Sequence, residues 1–217
     1  MAEGLRERKK QRTRQQIIDA AVSLFAERGY HATTIADIAE AAEVAPRTFF
    51  SYFPSKEAVV FHNVDRDMAS LAEVLRNRLP GENVFDALRR WIDGMFDEWM
   101  AEGDQALLRK QLCREDEGLA NYEGGIMNRI SELLLEAIAD DLDEPQDALR
   151  PRLVAAAAVA ALTSLDGSFD EKAEQRLPVA KEEALAVLDD AIVFLRGGLD
   201  ALQDTPEAAH EAKTGAG

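Results

Sequence analysis

Cysteine is almost absent from this 217-residue chain, with Cys113 the single example. That excludes an intrachain disulfide and a zinc site built from several cysteines. A lone cysteine on a helix reads as a small core hydrophobe. Histidine is nearly as scarce: His31, His62 and His210 have no Cys, Asp or His partner at metal-ligand spacing. Aromatic residues are only 6% of the chain, and no run of alternating β-branched residues demands a strand. The longest apolar run, Leu153 to Leu162, is far too short to cross a bilayer. The N-terminus has charges but no apolar core segment, so no signal peptide is expected. Glycine-rich phosphate loops, nucleophile elbows and HExxH are all missing. The carboxylates sit in runs such as Glu115-Asp116-Glu117 and Asp140-Asp141, which read as solvated surface. An enzyme, a metalloprotein and a membrane protein therefore find no support, and neither cofactor nor metal is expected. A soluble cytoplasmic protein with no membrane partner is.

What is present favours helix. The chain is 47% hydrophobic, enough for a core, and rich in Ala, Leu and Glu. Its net charge of −16 is unevenly spread. Residues 1–57 carry nine Lys/Arg against eight Asp/Glu, whereas residues 58–217 carry 16 against 33. Residues 1–14 alone hold six basic and two acidic side chains. The start of the chain can approach a polyanion that the remainder repels.

The centre of this organisation is Thr33–Lys56, TTIADIAEAAEVAPRTFFSYFPSK. Thr34 and Asp37 have capping-box spacing. Ile35, Ile38, Ala39 and Ala42 then form one apolar stripe. Pro46 suits the first turn of a second helix, which Phe49 and Phe53 can anchor inward. Arg47, Thr48, Phe50, Ser51 and Tyr52 cover its other faces. Two short helices with a basic-aromatic outer surface make a helix-turn-helix, whose second helix enters the DNA major groove. Arg47 can fork onto a guanine edge or clamp a phosphate. Phe50 and Tyr52 can serve as DNA contacts or as core.

Elsewhere, the first helix buries Ile17, Ala21, Leu24 and Phe25 and ends at Gly29, with Tyr30 folding back on Phe25. Ser55 starts a long helix with the stripe Val60, Val64, Met68, Leu71, Leu75 and Leu79, ended by Pro80-Gly81. Further helices are expected over 84–100, 105–117, 126–140, 147–165 and 179–202, with the chain loosened at Gly118 and Gly124-Gly125. Leu185, Leu188, Ile192, Leu195, Leu199 and Leu202 recur at spacings of three and four, an a/d seam. Such a seam can be internal. Paired with the Ala-rich helix before it, it suggests a homodimer through 147–166 and 179–202.

The segments TTIADIAEAAEVA, PRTFFSYF and PSKEAV, in this order and register, resemble the DNA-binding domain of the TetR family of bacterial transcriptional regulators over residues 12–60. The resemblance implies an all-α fold: a three-helix DNA-binding domain over 1–57, and a helical ligand-binding and dimerisation domain over 58–203. The tail, 204–217, is polar and expected to be disordered. It implies a homodimeric repressor on a palindromic double-stranded DNA operator, released by a small-molecule effector. The implied DNA contacts are Thr33, Thr34, Arg47, Thr48, Phe50, Ser51, Tyr52 and Lys56. Trp91, Met95, Phe96 and Trp99, with Leu112, Met127 and Ile130, are the expected lining of an apolar ligand cavity. Arg109, Lys110 and Arg114 can receive a phosphate or carboxylate, or answer the acidic run beside them. More diffusely, the chain resembles members that take acyl-CoA-like ligands.

Three positions depart from the family pattern. Glu43 stands where Gly is common, at a strain of about 1 kcal/mol if left-handed. Ala45 replaces a capping Ser, losing about 1 kcal/mol. Phe50 replaces a Tyr and its hydroxyl. Two other classes stay open: a sequence-independent DNA-packaging protein, against which the acidic body argues, and a helical enzyme.

Overall fold

The computed structural model describes residues 2–174 and 181–204, with side chains for 4–164 and 181–204. Every element among them is a helix: α1 (Ala2–Arg28), α2 (Ile35–Ala41), α3 (Pro46–Phe50), α4 (Glu57–Val60), α5 (Val64–Arg76), α6 (Val84–Glu102), α7 (Asp104–Glu115), α8 (Glu117–Leu142), α9 (Leu149–Glu174) and α10 (Lys181–Gln203). None of the described helices is long and apolar enough to cross a membrane. The chain divides into two compact units. The first joins the residues up to Asp65 with Glu102–Gly124; the second joins Arg66–Ala101 with the described residues from Gly125 on. The first unit thus takes in more than the 1–57 motif, adding α4, α7 and the first turns of α8. The 205–217 part of the expected tail lies outside the described residues.

In the first unit α1 packs on α2, α4 and α7 through Ile17, Ile18, Ala21, Leu24 and Phe25, all buried. Gly29, at φ 82°, ends α1, and the Tyr30 ring returns to within 5.3 Å of Phe25. Thr34 caps α2 through a reciprocal capping box with Asp37. Glu43 is indeed left-handed, at φ 55°, and Ala45 gives α3 no side-chain cap.

The long helix expected after Ser55 is broken. Residues 61–63 form a turn between α4 and α5 although they hold neither Pro nor Gly. Tertiary contacts inside the first unit hold the break. The Arg14 guanidinium donates to the His62 carbonyl, Asn63 donates to Glu102, and Phe61 stacks on Tyr122 at 4.9 Å. The expected stripe therefore ends early, and Leu79 lies beyond α5 and is exposed.

Two acidic runs are not mere surface. Asp116 is buried and caps α8, accepting the Leu119 N–H at 2.8 Å. Gly118 leaves room for this, since a Cβ there would lie 3.0 Å from the Asp116 Oδ1. In the second unit Asp141 accepts the Val84 N–H and an Arg78 N–H, each at 2.7 Å. Gly124 and Gly125 do not loosen the chain but lie within α8.

In the second unit α10 buries Ala184, Leu188, Ile192, Leu195 and Leu199, with α9 packed beside it. The heptad-like seam is therefore internal to the chain and not a free face. The surface left exposed holds Val193 and Phe194, 71% and 72% exposed, and on α9 Leu149 and Leu153. The 3-4 spacing identifies a buried face but not the helix that covers it.

Candidate nucleic-acid interface and ligand face

The short α3 is held from one side. Phe49 and Phe53 are buried, with ring centroids 6.0 Å apart. This leaves Arg47 and Ser51 exposed, Thr48 and Tyr52 half-buried, and Phe50 55% exposed. Phe50 is thus an outward apolar ring, not a core residue. The Ser51 hydroxyl donates back to the Arg47 carbonyl, closing the last turn of α3. Thr34, at the start of α2, is exposed beside its capping partner Asp37. The Thr34 hydrogen bonds hold the Asp37 carboxyl below its ordinary pKa.

Thr33 and Lys56 are placed differently from the sequence expectation. Thr33 is buried, and its hydroxyl donates to the carbonyls of Gly29 and Leu24 at the end of α1. That hydroxyl is turned inward, because α1 leaves terminal carbonyls needing donors. Lys56 is half-buried. Its ammonium donates to the carbonyls of Tyr30 and Thr33 at 2.8 and 3.0 Å and lies 3.8 Å from the Tyr30 ring centre. Burial lowers its pKa.

Beside it the Tyr30 hydroxyl donates to Glu57 at 2.6 Å. Burial raises the Tyr30 pKa, and the Glu57 carboxylate adds to the shift. Burial also pushes Glu57 up, but hydrogen bonds from Tyr30 and Ser55 outweigh it and leave that carboxyl below its usual range. The sequence signal for this clasp was slight: a Tyr after a C′ glycine and a Lys-Glu pair 26 residues on.

The expected ligand lining falls in both units. Leu112 is buried in the first, near Val59, His62 and Leu108 around a small cavity. Burial lowers the His62 pKa there. Trp91, Met95, Phe96 and Trp99 on α6, with Met127 and Ile130 on α8, lie in the second unit and are all half-exposed. Trp91 and Trp99 meet edge to face at 5.3 Å, and their indole N–H groups donate to Ser70 and Asp67. Within this unit the α6 core is confined to Val84, Phe85, Ala87 and Leu88. The C-terminal half of α6 therefore presents an aromatic face that the described residues only partly cover.

Of the basic cluster, Arg109 pairs with Glu102 at 3.1 Å rather than with the acidic run beside it. Cys113 is buried, its thiol pushed up to about 11 by burial, as befits a core residue. Among the described residues no group of His, Cys, Asp and Glu could hold a metal ion.

Comparison with known proteins places this geometry. The sequence model of the TetR-family bacterial regulatory proteins matches residues 17–62, and that of the MftR C-terminal domain matches residues 82–193, just over half of the chain. The regulator TcmR of Streptomyces glaucescens is 36% identical over 163 residues, covering 70% of this chain and 71% of TcmR. The chain belongs to the TetR family. It is also 37% identical over 82 residues to the putative mycofactocin biosynthesis regulator MftR of Mycobacterium tuberculosis, 38% of this chain and 41% of that protein. Among solved structures, the fatty acid degradation regulator FadR of Bacillus halodurans superposes with a TM-score of 0.54 at 25% identity, covering 85% of this chain and 98% of FadR. This TetR-family chain is thus an all-α transcriptional regulator with an N-terminal DNA-binding helix-turn-helix, in a family of regulators and not of enzymes.

Proposed function

We propose that the chain is a repressor that occupies a palindromic operator as a homodimer and leaves it when a small apolar molecule binds its second unit. The observation that carries this is the one-sided anchoring of α3. Phe49 and Phe53 fix the helix inward, and Arg47 and Phe50 stand outward. In a major groove Arg47 meets guanine O6 and N7, and the Phe50 ring matches a thymine methyl. Thr34, Thr48, Ser51 and Tyr52 border that surface and suit phosphate oxygens.

The second copy is proposed to sit on the outward faces of α9 and α10. Gly197 and Gly198 support this. A Cβ on either would meet nothing within 4 Å. Two mid-helix glycines cost about 1 kcal/mol each relative to Ala, and among the described residues no neighbour requires them. Beside Val193 and Phe194 they allow a partner helix close approach. Dimerisation would place two α3 helices on successive major grooves, roughly 34 Å apart.

The effector is proposed to rest on the half-covered face of Trp91, Met95, Phe96 and Trp99, with Met127 and Ile130. FadR is described as a regulator of fatty acid degradation, and an acyl-CoA-like molecule here is consistent with that likeness. Only a difference in effector affinity between two states can drive release. The test is selection of binding sites from random duplexes, then a panel of operator variants. Arg47→Ala should relax preference at one base pair per half-site and cost about 1–3 kcal/mol. Uniform losses on every sequence would reduce Arg47 to a phosphate clamp. No selected site at all would overturn the operator reading. Mass spectrometry of molecules retained by the purified protein tests the effector.

A further inference from the structure

The first helix extends well before the segment that matches the family's DNA-binding domain. The match to the TetR DNA-binding domain begins at Ile17, yet α1 begins at Ala2. From Gly4 to Arg12 every side chain is exposed, Leu5 included at 52%. This stretch has no apolar stripe, so packing does not hold it in place. Local bonds support it instead: Gln11 donates to Glu7 at 2.9 Å and Arg8 to the Gly4 carbonyl at 3.1 Å. An exposed polar helix of this length is marginal by itself.

Its charge is concentrated. Arg6, Arg8, Lys9, Lys10 and Arg12 face a single acid, Glu7, in a chain of net charge −16. Other cations of residues 1–57 are engaged within the first unit. Arg14 donates to the His62 carbonyl and lies 5.0 Å from the Phe53 ring centre, Lys56 clasps two carbonyls, and Arg28 stands 3.9 Å from Asp37. Arg47 on α3 is exposed. The five cations of the arm are therefore the largest exposed basic group of the motif. The arm is also well placed, since its root at Arg14 touches Phe53, three residues past the end of α3. Counting from Arg14 back to Gly4, it reaches about 15 Å beyond that root.

We propose that residues 4–12 form a second, sequence-blind DNA contact, in which Arg6, Arg8, Lys9, Lys10 and Arg12 grip phosphates beside the groove that α3 enters. This rests on the reading of the chain as an operator-binding regulator. The five cations spread over about 200° of the helix, opposite Glu7 and Gln11, so a duplex reaches only part of them at a time, and two or three contacts per protomer are expected. Each released counterion steepens the salt dependence of binding by about 0.9 in log K against log salt, or about 3.5-fold between 50 and 200 mM.

The experiment uses the full chain with all five residues changed to Gln, and a second version with all five as Lys. Binding is measured at 50–200 mM salt on the selected operator, its variants and an unrelated duplex. The Gln version should flatten the slope by about 1.8–2.7 for each bound protomer, and so by about 4–5 where a dimer binds, while keeping the order of preference among operator variants. The Lys version should keep the wild-type slope. Residues 4–12 are exposed and pack against no core, so the thermal midpoint should hold. Should the Gln version fail to fold, Arg8→Gln with Arg12→Gln, on one face, gives a smaller change of the same sign. An unchanged slope, or a loss of preference instead of slope, would overturn the arm contact. Absence of any preferred site for the wild type would instead overturn the operator reading, and the slope on the unrelated duplex would still decide the arm.

Discussion

Phe194→Glu separates the proposed dimer face from the internal seam. The Phe194 ring is 72% exposed in the protomer. An aromatic side chain buries roughly 150–250 Å² in a full interface, so about 110–180 Å² is left for a partner to cover. At about 25 cal/mol per Å² that is about 3–4 kcal/mol for each protomer. A twofold interface uses the residue twice, so the dimer would lose about 6–8 kcal/mol, or four to six orders of magnitude in Kd by the usual 1.4 kcal/mol per tenfold. Placing two carboxylates in the interface adds to the loss. The substitution leaves Leu188, Ile192, Leu195 and Leu199 untouched, so the protomer should keep its helical content. Sedimentation velocity at micromolar protein should show a folded monomer. Ile192→Glu is the contrasting change. Ile192 is 7% exposed within its own chain, so a buried charge there should unfold the second unit rather than dissociate it. A Phe194→Glu protein that sediments as a dimer at wild-type concentration would refute the assignment of this face.

Three further outcomes follow from the first unit. Lys56→Met removes two charge-assisted bonds to carbonyls, so about 2 kcal/mol of stability should be lost after allowing for partial exposure. The salt slope of DNA binding should stay fixed; a slope flatter by about one per site would return Lys56 to the phosphates. Ala45→Ser supplies the missing cap of α3 and should raise stability by about 1 kcal/mol, a rise of about 2–4 °C in the midpoint; no rise would mean that the cap is satisfied otherwise. His62 has its folded pKa lowered, chiefly by burial, with Arg14 and Arg109 opposing protonation and Glu102 favouring it. The unfolded chain therefore binds the proton more readily. Stability should fall as pH drops from about 7 through the ordinary histidine range, and His62→Gln should flatten that limb of the pH–stability curve relative to wild type. An identical acid limb in both proteins would remove His62 as its cause.

The helix-turn-helix was legible because its signals are local. A capping box, a proline in a first turn and two phenylalanines four apart each act within one turn of chain. What escaped the sequence was tertiary. The break at 61–63 has no breaker residue and exists because Arg14, Glu102 and Tyr122 engage it from distant segments. Asp116 and Asp141 sit in runs that look solvated, yet Asp116 is buried and Asp141 half-buried, because each receives a backbone N–H otherwise lacking a partner. The leucine seam shows the same limit. Its period correctly announces a buried stripe, but the covering helix is α9 of the same chain. The proposed dimer face shows only as a pair of glycines and two exposed apolar side chains. Of the candidate DNA contacts, Arg47 and Phe50 follow from helix position, whereas Thr33 and Lys56 could be separated from them only by seeing which carbonyls at the end of α1 and in the loop after it they serve.

The same accounting of donors explains how a weakly built recognition helix is held. α2 and α3 carry two unfavourable choices, a left-handed Glu43 and an uncapped Ala45, each worth about 1 kcal/mol. The compensation lies at their margins and is polar. The Thr34–Asp37 box closes the start of α2, Thr33 ties α2 to the end of α1, and the Lys56–Tyr30–Glu57 clasp fixes the start of α4 to the same place. Those bonds engage the cation and hydroxyl that a reading by motif assigns to phosphate. A unit that uses Lys56 and Arg14 as internal donors must find its attraction for a polyanion elsewhere. Within residues 1–57 the exposed cations outside the Arg28–Asp37 pair are Arg47 and those along the first turns of α1. Neutralising the arm should therefore reduce salt-sensitive affinity more than removing Lys56, although Lys56 lies inside the motif and the arm lies outside it.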